Sequence, residues 1–240
     1  MSILQTNPTS LEATAPPPED FSDNEDPKRP EIPAPPMPRL GSLGVHEPYV
    51  RSFVRKTPNW PREGVTFLDI SSLLADVRAL RHCIDSLAER YGGGHLTHIA
   101  GIDARGFTLG CALAYRLNCG FIMIRKAGKL PPGDDESSSL VSEEYEMEYG
   151  RGQLQVPADL FESSSVTTPR VLLVDDLLAT GGTACAACNL LRNAGATIVE
   201  VAVLIELSSP EICGRRRLKE DAYIDLHSLL CFSEDGTVRL

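Results

Sequence analysis

From residue 73 onward the chain alternates between two spacings of apolar residues, and each spacing indicates a type of element. Between Leu73 and Tyr91 the apolar residues stand at positions 73, 74, 77, 80, 84, 87 and 88, which predicts one helix with a single buried face. Beyond it we expect strands at 95–102, 120–126, 171–175 and 197–207, and helices at 106–118 and 183–195. This alternation favours an α/β fold, with a mainly parallel sheet covered by helices on both faces.

The first 47 residues lack any such spacing. They hold ten of the eighteen prolines and one aromatic residue. A segment of this composition cannot bury enough apolar surface to offset the entropy that it would lose on ordering. We therefore predict a disordered, proline-rich acidic tail over residues 1–47 and one folded domain over residues 48–240.

Composition narrows the cellular setting and the partners. The N-terminus has no signal-peptide pattern and no apolar run is long enough to span a membrane, so we expect a cytoplasmic protein without membrane partners. Seven cysteines spread through apolar segments fit a reducing compartment. The net charge of −10 argues against nucleic acid as a partner, because a phosphate backbone requires a basic face.

Three of the predicted strands run into loops that carry polar residues, namely 101–107 (GIDARGF), 123–129 (MIRKAGK) and 174–183 (VDDLLATGGT). The carboxyl ends of parallel strands meet at one edge of a sheet, so these loops are expected to share one cleft. Together they bring two basic clusters, an acidic pair and two glycine-bearing turns. The sequence therefore predicts a site for an anionic ligand that also carries a metal ion or a polyol.

The segment 171–183 indicates which residues would contact which part of such a ligand. Residues 179–183 (ATGGT) join a strand to a helix, where backbone N–H groups and the helix dipole can hold a phosphate. The adjacent Asp175 and Asp176 repel each other unless a cation or hydroxyl donors lie between them. They can accept hydrogen bonds from a ribose diol and attract Mg²⁺. Neither a nucleoside triphosphate loop nor a dinucleotide fingerprint is present.

Cys185 and Cys188 form a C-x-x-C pair near the start of the same predicted helix, which leaves a redox or metal site as one interpretation. Packing is the stronger interpretation, because the phosphate loop already uses this helix start and the residues between the cysteines are alanines. The five histidines show no metal-ligand spacing with cysteines or acids, which favours ordinary structural roles.

The segment 171–183 resembles the phosphoribosyl pyrophosphate motif of the type I phosphoribosyltransferases. Segments 64–74 (GVTFLDISSLL), 101–107, 125–131 (RKAGKLP) and 145–150 (YEMEYG) stand in the order found in the adenine-specific branch of that family. The resemblance spans about residues 53 to 230 and implies a central, mainly parallel sheet flanked by helices, with a small hood and a flexible loop over the active site. It also implies Mg²⁺-dependent transfer of the phosphoribosyl group to adenine, giving AMP and pyrophosphate, by a homodimer.

The resemblance further implies roles for particular residues. Glu148 in the flexible loop would handle the purine proton, Tyr149 would help to close the site, and Arg105 would join them as a catalytic residue. Backbone groups of Asp103, Ala104, Arg105 and Gly106 would hold the pyrophosphate, often through a non-proline cis peptide bond. The remaining substrate-binding residues would be Val65, Thr66 and Phe67 for adenine, Arg125, Lys126 and Lys129 for pyrophosphate charge, Asp175 and Asp176 for the ribose and its Mg²⁺, and Ala179, Thr180, Gly181, Gly182 and Thr183 for the 5′-phosphate.

Two departures from the family pattern leave alternatives open. Leu68 stands where many relatives carry arginine, so a polar contact near the base is in question. Residues 131–148 hold seven acids and no lysine or arginine, which fits either a flexible solvated insertion or a slower closing motion. A phosphoribosyltransferase for another purine and a non-catalytic regulatory relative that binds phosphoribosyl pyrophosphate are the alternative functions. The second has little support, because residues 1–47 show no DNA-binding pattern and Glu148 is present.

Overall fold

The computed structural model describes residues 47–131, 139–147, 150–161, 168–209 and 212–233. The predicted tail lies almost wholly outside these ranges, so its disorder stays a prediction. Six helices are described: α1 (Glu47–Ser52), α2 (Ser71–Ala75), α3 (Val77–Tyr91), α4 (Arg105–Leu117), α5 (Gly182–Asn193) and α6 (Gly214–Asp221). Within the described part of the chain, no helix has both the length and the apolar character needed to cross a bilayer.

Nine strands are described in the same ranges: β1 (Arg55–Pro58), β2 (Thr66–Asp69), β3 (His98–Ile102), β4 (Gly120–Lys126), β5 (Leu140–Met147), β6 (Gly150–Pro157), β7 (Arg170–Leu178), β8 (Thr197–Leu207) and β9 (Leu226–Phe232). Seven of them form one sheet in the order β5-β6-β4-β3-β7-β8-β9. Five neighbouring strands of this sheet are parallel, namely β4, β3, β7, β8 and β9. β5 and β6 form an antiparallel hairpin that joins β4 at Arg125 and Lys126, and β1 and β2 form a separate two-stranded sheet.

The central strand β7 separates two apolar cores, as the alternation of its side chains requires. Val171 and Leu173 pack with α5 and α6 on one face. Leu172 and Val174 pack with residues of α1 to α4 on the other face. The prediction of a mainly parallel sheet with helices on both faces is therefore confirmed. The carboxyl ends of the central strands lie between the two helix layers, where a site can form.

The predicted helix over residues 73–91 is wrong in one respect, since it is two helices that meet at Asp76. The Asp76 carboxylate accepts hydrogen bonds from the backbone N–H groups of Arg78 at 3.0 Å and Ala79 at 2.8 Å. An aspartate that binds these groups caps a new helix, and its own backbone is extended. Val77, which follows the break, is 75% exposed, so the apolar spacing of the sequence does not mark one continuous buried face there.

Two other boundaries differ from the prediction. β7 runs to Leu178 and not only to Asp175 as predicted, so Asp176 also lies inside the strand, and pairing with β8 continues through Leu177 and Leu178. Residues 140–147 belong to β5 and pair with β6, so that part of the acidic segment is a strand rather than a flexible insertion, while Glu144 and Glu146 on it are exposed. Residues 132–138 and 148 of that segment lie outside the described ranges.

Candidate active site

The turn between β3 and α4 is held against β4 by one backbone hydrogen bond and one side-chain ion pair. The Asp103 N–H donates to Ile124 O at 3.0 Å, and the Arg125 Nε donates to the Asp103 carboxylate at 3.1 Å. The bond from Asp103 to Ala104 is a non-proline cis peptide, as the family resemblance implied. α4 begins at Arg105, whose carbonyl accepts from the Thr108 hydroxyl at 2.8 Å. The turn therefore presents the start of a helix and a backbone held in place by β4 to a ligand at the carboxyl ends of the strands.

Glycine is required at position 106 because the turn lies directly on β7. A Cβ atom on Gly106 would lie 2.8 Å from Val174 O and 3.0 Å from Asp175 Oδ1. Both distances are shorter than an ordinary van der Waals contact, and one neighbour is backbone in the middle of the sheet. The close approach brings the turn at 103–106 and the acidic pair, Asp175 and Asp176, into one cluster.

Each member of the acidic pair has its own partner. Asp176 is buried, and its Oδ2 binds the Arg105 Nε at 2.8 Å. Asp175 Oδ1 accepts the backbone N–H of Asp176 at 2.9 Å. The sequence predicted a cation or hydroxyl donors between the two carboxylates; the structure places the Arg105 guanidinium on Asp176, and its charge acts only weakly on Asp175.

Burial and the neighbouring charge of Asp176 raise the pKa of Asp175 well above the ordinary aspartate value. The hydrogen bond from the Asp176 N–H and the charge of Arg105 act in the opposite direction and are the smaller effects. A ligand that brings hydroxyl donors or a cation to Asp175 stabilises its charged form and thereby lowers its pKa again.

The loop from Ala179 to Thr183 forms a concave turn at the start of α5. Gly181 has a φ of 81°, a left-handed conformation that glycine adopts without strain. No side chain caps the first turn of α5, so its backbone N–H groups point outward at the positive end of the helix. The loop and Asp175 line a cavity of about 200 Å³. This is the geometry of a phosphate-binding helix start.

The base end of the cluster is formed by the β1–β2 hairpin. The Phe67 ring lies 4.4 Å from the Trp60 ring, measured between centroids, and the Arg105 guanidinium lies 5.5 Å from the Phe67 centroid. Leu68, the departure from the family pattern, is 3% exposed and belongs to the core, while Phe67 is partly exposed. The alternation along β2 therefore directs residue 67, rather than residue 68, away from the core.

The backbone around Val65 is already engaged. Its N–H donates to Arg62 O at 3.3 Å, and its carbonyl accepts from the Trp60 N–H at 3.1 Å. Thr66 stands opposite Pro58 in the hairpin, and a proline has no N–H to donate across the ladder. Of the two predicted base-reading backbones, Thr66 is therefore the better placed to contact a ligand.

The predicted basic residues differ in their surroundings. Arg125 is partly buried, is held by Asp103, and its guanidinium lies 5.7 Å from the Phe107 ring centroid. Lys126 and Lys129 are exposed at the end of β4 and in the turn that follows. Glu148 and Tyr149 lie outside the described residues, so their predicted roles stay predictions.

Two further residues contribute to the cluster without having been predicted from the sequence. Trp60 packs on Phe67, and an aromatic residue before a proline just upstream of the hairpin strand was the available signal. Gly214 at the start of α6 contacts the loop at 179–183, and no local sequence pattern predicted this contact.

For the C-x-x-C pair, burial raises the pKa of Cys185 and raises that of Cys188 to about 12. Both therefore remain thiols packed in the core at neutral pH.

Family comparison agrees with this geometry. A family model described as the phosphoribosyl transferase domain matches residues 69–224, which include the turn at 103–106, the acidic pair and the loop at 179–183 and begin after Phe67. The chain therefore belongs to the phosphoribosyltransferase family and has the type I phosphoribosyltransferase fold. The resemblance drawn from the motifs is confirmed.

The individual relatives are more specific. The adenine phosphoribosyltransferase of Marinobacter nauticus is 42% identical over 186 residues, which cover 78% of this chain and 96% of that protein. The solved structure of the adenine phosphoribosyltransferase from Rhodothermus marinus matches with a TM-score of 0.68 and 35% identity, over 79% of this chain and 99% of that one. The Trypanosoma brucei enzyme, solved with AMP, pyrophosphate and ribose 5-phosphate, matches with a TM-score of 0.65 and 26% identity, over 84% of each chain.

Proposed function

We propose that this protein transfers the 5-phosphoribosyl group from phosphoribosyl pyrophosphate to adenine, giving AMP and pyrophosphate. The observation that supports it most directly is the junction of the turn at 103–106, the acidic pair and the phosphate loop at one sheet edge, with Gly106 against Asp175. The names of the relatives support adenine as the base.

Each part of the site has a task in this reaction. The loop at 179–183 binds the 5′-phosphate through backbone N–H groups, and Asp175 and Asp176 hold the ribose hydroxyls. The turn at 103–106 and Arg125 hold the leaving pyrophosphate, while Phe67 stacks on the base. A ribosyl group that develops positive charge needs positioning, neutralisation of the leaving group and exclusion of water, more than covalent help. Glu148 takes or gives the purine proton, and Tyr149 helps to close the site.

Mg²⁺ fits this donor set as a partner of the substrate. The described residues hold no cluster of three or more carboxylate, imidazole or thiol groups, so a cage made by protein alone is not offered there. One or two carboxylates with substrate oxygens are the usual setting for Mg²⁺ in phosphoryl sites, and Asp175 and Asp176 supply them. Bound there, Mg²⁺ neutralises charge on the pyrophosphate.

A dimer is part of the proposal. Tyr115 is 91% exposed on α4, and Cys111, one turn earlier on the same helix face, is also exposed. Met123 is 49% exposed on β4, two residues after Phe121, which packs on α4. This apolar surface adjoins Arg125 and suits a second copy of the chain. Tyr115→Asp should yield monomers in sedimentation, while Tyr223→Asp, at another exposed tyrosine, should not.

A panel of bases tests the function. The purified protein is incubated with phosphoribosyl pyrophosphate, Mg²⁺ and adenine, hypoxanthine or guanine, and pyrophosphate release is followed with and without a chelator. Turnover with adenine that stops with the chelator is expected. Turnover with hypoxanthine or guanine and none with adenine would move the assignment to another purine. Tight binding of phosphoribosyl pyrophosphate without turnover of any base would indicate the regulatory alternative.

A further inference from the structure

The start of α6 packs against the back of the phosphate loop, backbone on backbone. A Cβ atom on Gly181 would lie 2.9 Å from Gly214 O and 3.1 Å from Gly214 Cα. A Cβ atom on Gly214 would overlap Ala179 O and lie 3.0 Å from Leu178 Cγ. Because these are contacts between main chains, the position of Gly214 sets how far the loop can retreat from a ligand.

The residue after Gly214 is held by an ionic cluster in which a half-exposed arginine meets a buried carboxylate. Arg215 Nε binds Glu206 Oε1 at 2.8 Å, and its Nη2 binds Glu206 Oε2 at 2.5 Å. Arg215 Nη1 donates to Leu226 O at 2.8 Å, and the Ser228 hydroxyl donates to Glu206 Oε2 at 2.7 Å. The cluster therefore ties the first turn of α6 to both β8 and β9, with bidentate geometry that fixes orientation.

Glu206 lies deep enough for this pairing to matter. It is 6% exposed, and burial alone would raise the pKa of its carboxyl. The hydrogen bonds from Arg215 and Ser228 outweigh burial and lower that pKa, so the carboxylate is charged and committed to them. Because the Arg215 side chain is 51% exposed, the ion pair adds little to net stability, but its bidentate geometry specifies one arrangement.

Attachment of α6 does not itself need the cluster. Leu218 is fully buried on the same helix and packs into the core shared with α5. Leu218 holds the body of α6, whereas Arg215 holds its first turn, next to Gly214. The task that remains for Arg215 is the placement of that turn against the phosphate loop.

We propose that Arg215, anchored by Glu206, is a positioning residue that fixes the phosphate loop through Gly214 and thereby sets the affinity for the 5′-phosphate. The inference rests on the proposed function, since it assigns a task to the same site. Arg215 does not touch the substrate; it acts through the main chain of residues 179–181 and 214.

The test compares Arg215→Met with Arg216→Met. Arg216 is the matched control, because it follows on the same helix and pairs at 3.9 Å with Glu220, both side chains being largely exposed. Binding of AMP and of adenosine is measured by calorimetry, and the ratio of the two dissociation constants reports the contribution of the 5′-phosphate. Arg215→Met should reduce this preference for AMP by about 10- to 100-fold, the range expected when a group is misplaced by about 1 Å. Adenosine binding should be unchanged, and Arg216→Met should behave like the wild type.

The outcomes separate this inference from the proposed function. If the wild type turns over adenine and Arg215→Met keeps the full preference for AMP, the inference is overturned while the function stands. If the wild type neither binds AMP nor turns over any base, the function itself fails. Equal losses for AMP and adenosine would indicate general damage and would also overturn the inference.

Two further variants keep the test decisive if Arg215→Met does not fold. Ser228→Ala removes one donor to Glu206 and leaves Arg215 in place, so it should lose part of the AMP preference. Arg215→Lys keeps a charge beside Glu206 and should restore part of it relative to Arg215→Met. An unchanged AMP preference in Ser228→Ala, measured on a folded protein, would count against the role of the cluster.

Discussion

Replacing Gly106 by alanine tests whether the pyrophosphate turn depends on its close approach to β7. The added Cβ atom would lie 2.8 Å from Val174 O, 3.0 Å from Asp175 Oδ1 and 3.3 Å from Asp175 Cα. Val174 is on the central strand, which is paired with β3 on one side and β8 on the other, so its carbonyl cannot move away. The turn itself must therefore shift outward, and it carries Arg105 and the pyrophosphate-binding backbone with it.

The size of the effect follows from this geometry. Forcing one extra methyl group into a packed contact costs about 1–3 kcal/mol. For a domain of this size each kcal/mol lowers the melting temperature by about 2–4 °C, so a drop of roughly 2–12 °C is expected. The same shift moves the groups that bind phosphoribosyl pyrophosphate, and its KM should rise more than the KM for adenine.

Gly93→Ala is the matched control. A Cβ atom on Gly93 meets nothing within 4 Å, and its backbone is not left-handed, so its stability should stay within about 0.5 kcal/mol of the wild type. Melting curves and steady-state kinetics are recorded for both variants. Equal stability of Gly106→Ala and Gly93→Ala would refute the packing argument. A destabilised Gly106→Ala with an unchanged KM for phosphoribosyl pyrophosphate would remove the turn from the binding site.

Three substitutions examine the acids. Because burial and Asp176 raise the pKa of Asp175 in the folded protein, the folded state binds this proton more tightly than the unfolded chain, and stability falls as pH rises above the ordinary aspartate range. Asp175→Asn should flatten that fall and stabilise the ligand-free protein at neutral pH in urea titrations; an unaltered pH dependence would contradict this. Asp176→Asn removes the partner of Arg105 and should raise the KM for phosphoribosyl pyrophosphate and the Mg²⁺ requirement, which steady-state kinetics would show. Glu148→Gln should lower kcat by about 10²–10⁴-fold with that KM little changed, and an unchanged kcat would exclude it from proton transfer.

The periodic part of the fold could be predicted from the sequence because each segment carried its own signal. β3, β4, β8, α4 and α5 lie within a residue or a few of their predicted bounds. The break at Asp76 was missed because a capping carboxylate competes with an apolar spacing that continues across it. The extension of β7 beyond Asp175 was missed because Asp176 is polar, and the pairing of Leu177 and Leu178 with β8 is a tertiary contact that strand propensity does not contain.

The candidate site was predictable in its loops and unpredictable in its contacts. Motif order along the chain located the three strand ends, and the topology then had to bring them together. The pairing of Arg105 with Asp176 and the packing of Trp60 on Phe67 join residues that are distant in sequence or lie across a turn. No local pattern distinguishes such partners from surface charges or core aromatics.

The charges of the site show how an acidic protein can bind a polyanion. Arg105 and Arg125, two of its cations, are held by Asp176 and Asp103, so the guanidinium groups are positioned before any ligand arrives. The phosphate loop and the turn at 103–106 contribute backbone N–H groups, which attract phosphate without adding formal charge. A pyrophosphate that enters competes with carboxylates for cations already in place, so little reorganisation is needed at the moment of reaction. The glycine contacts at positions 106, 181 and 214 then have one common effect, which is to fix the positions of the backbone N–H groups. A site made largely of main chain depends for its geometry on the packing behind that main chain.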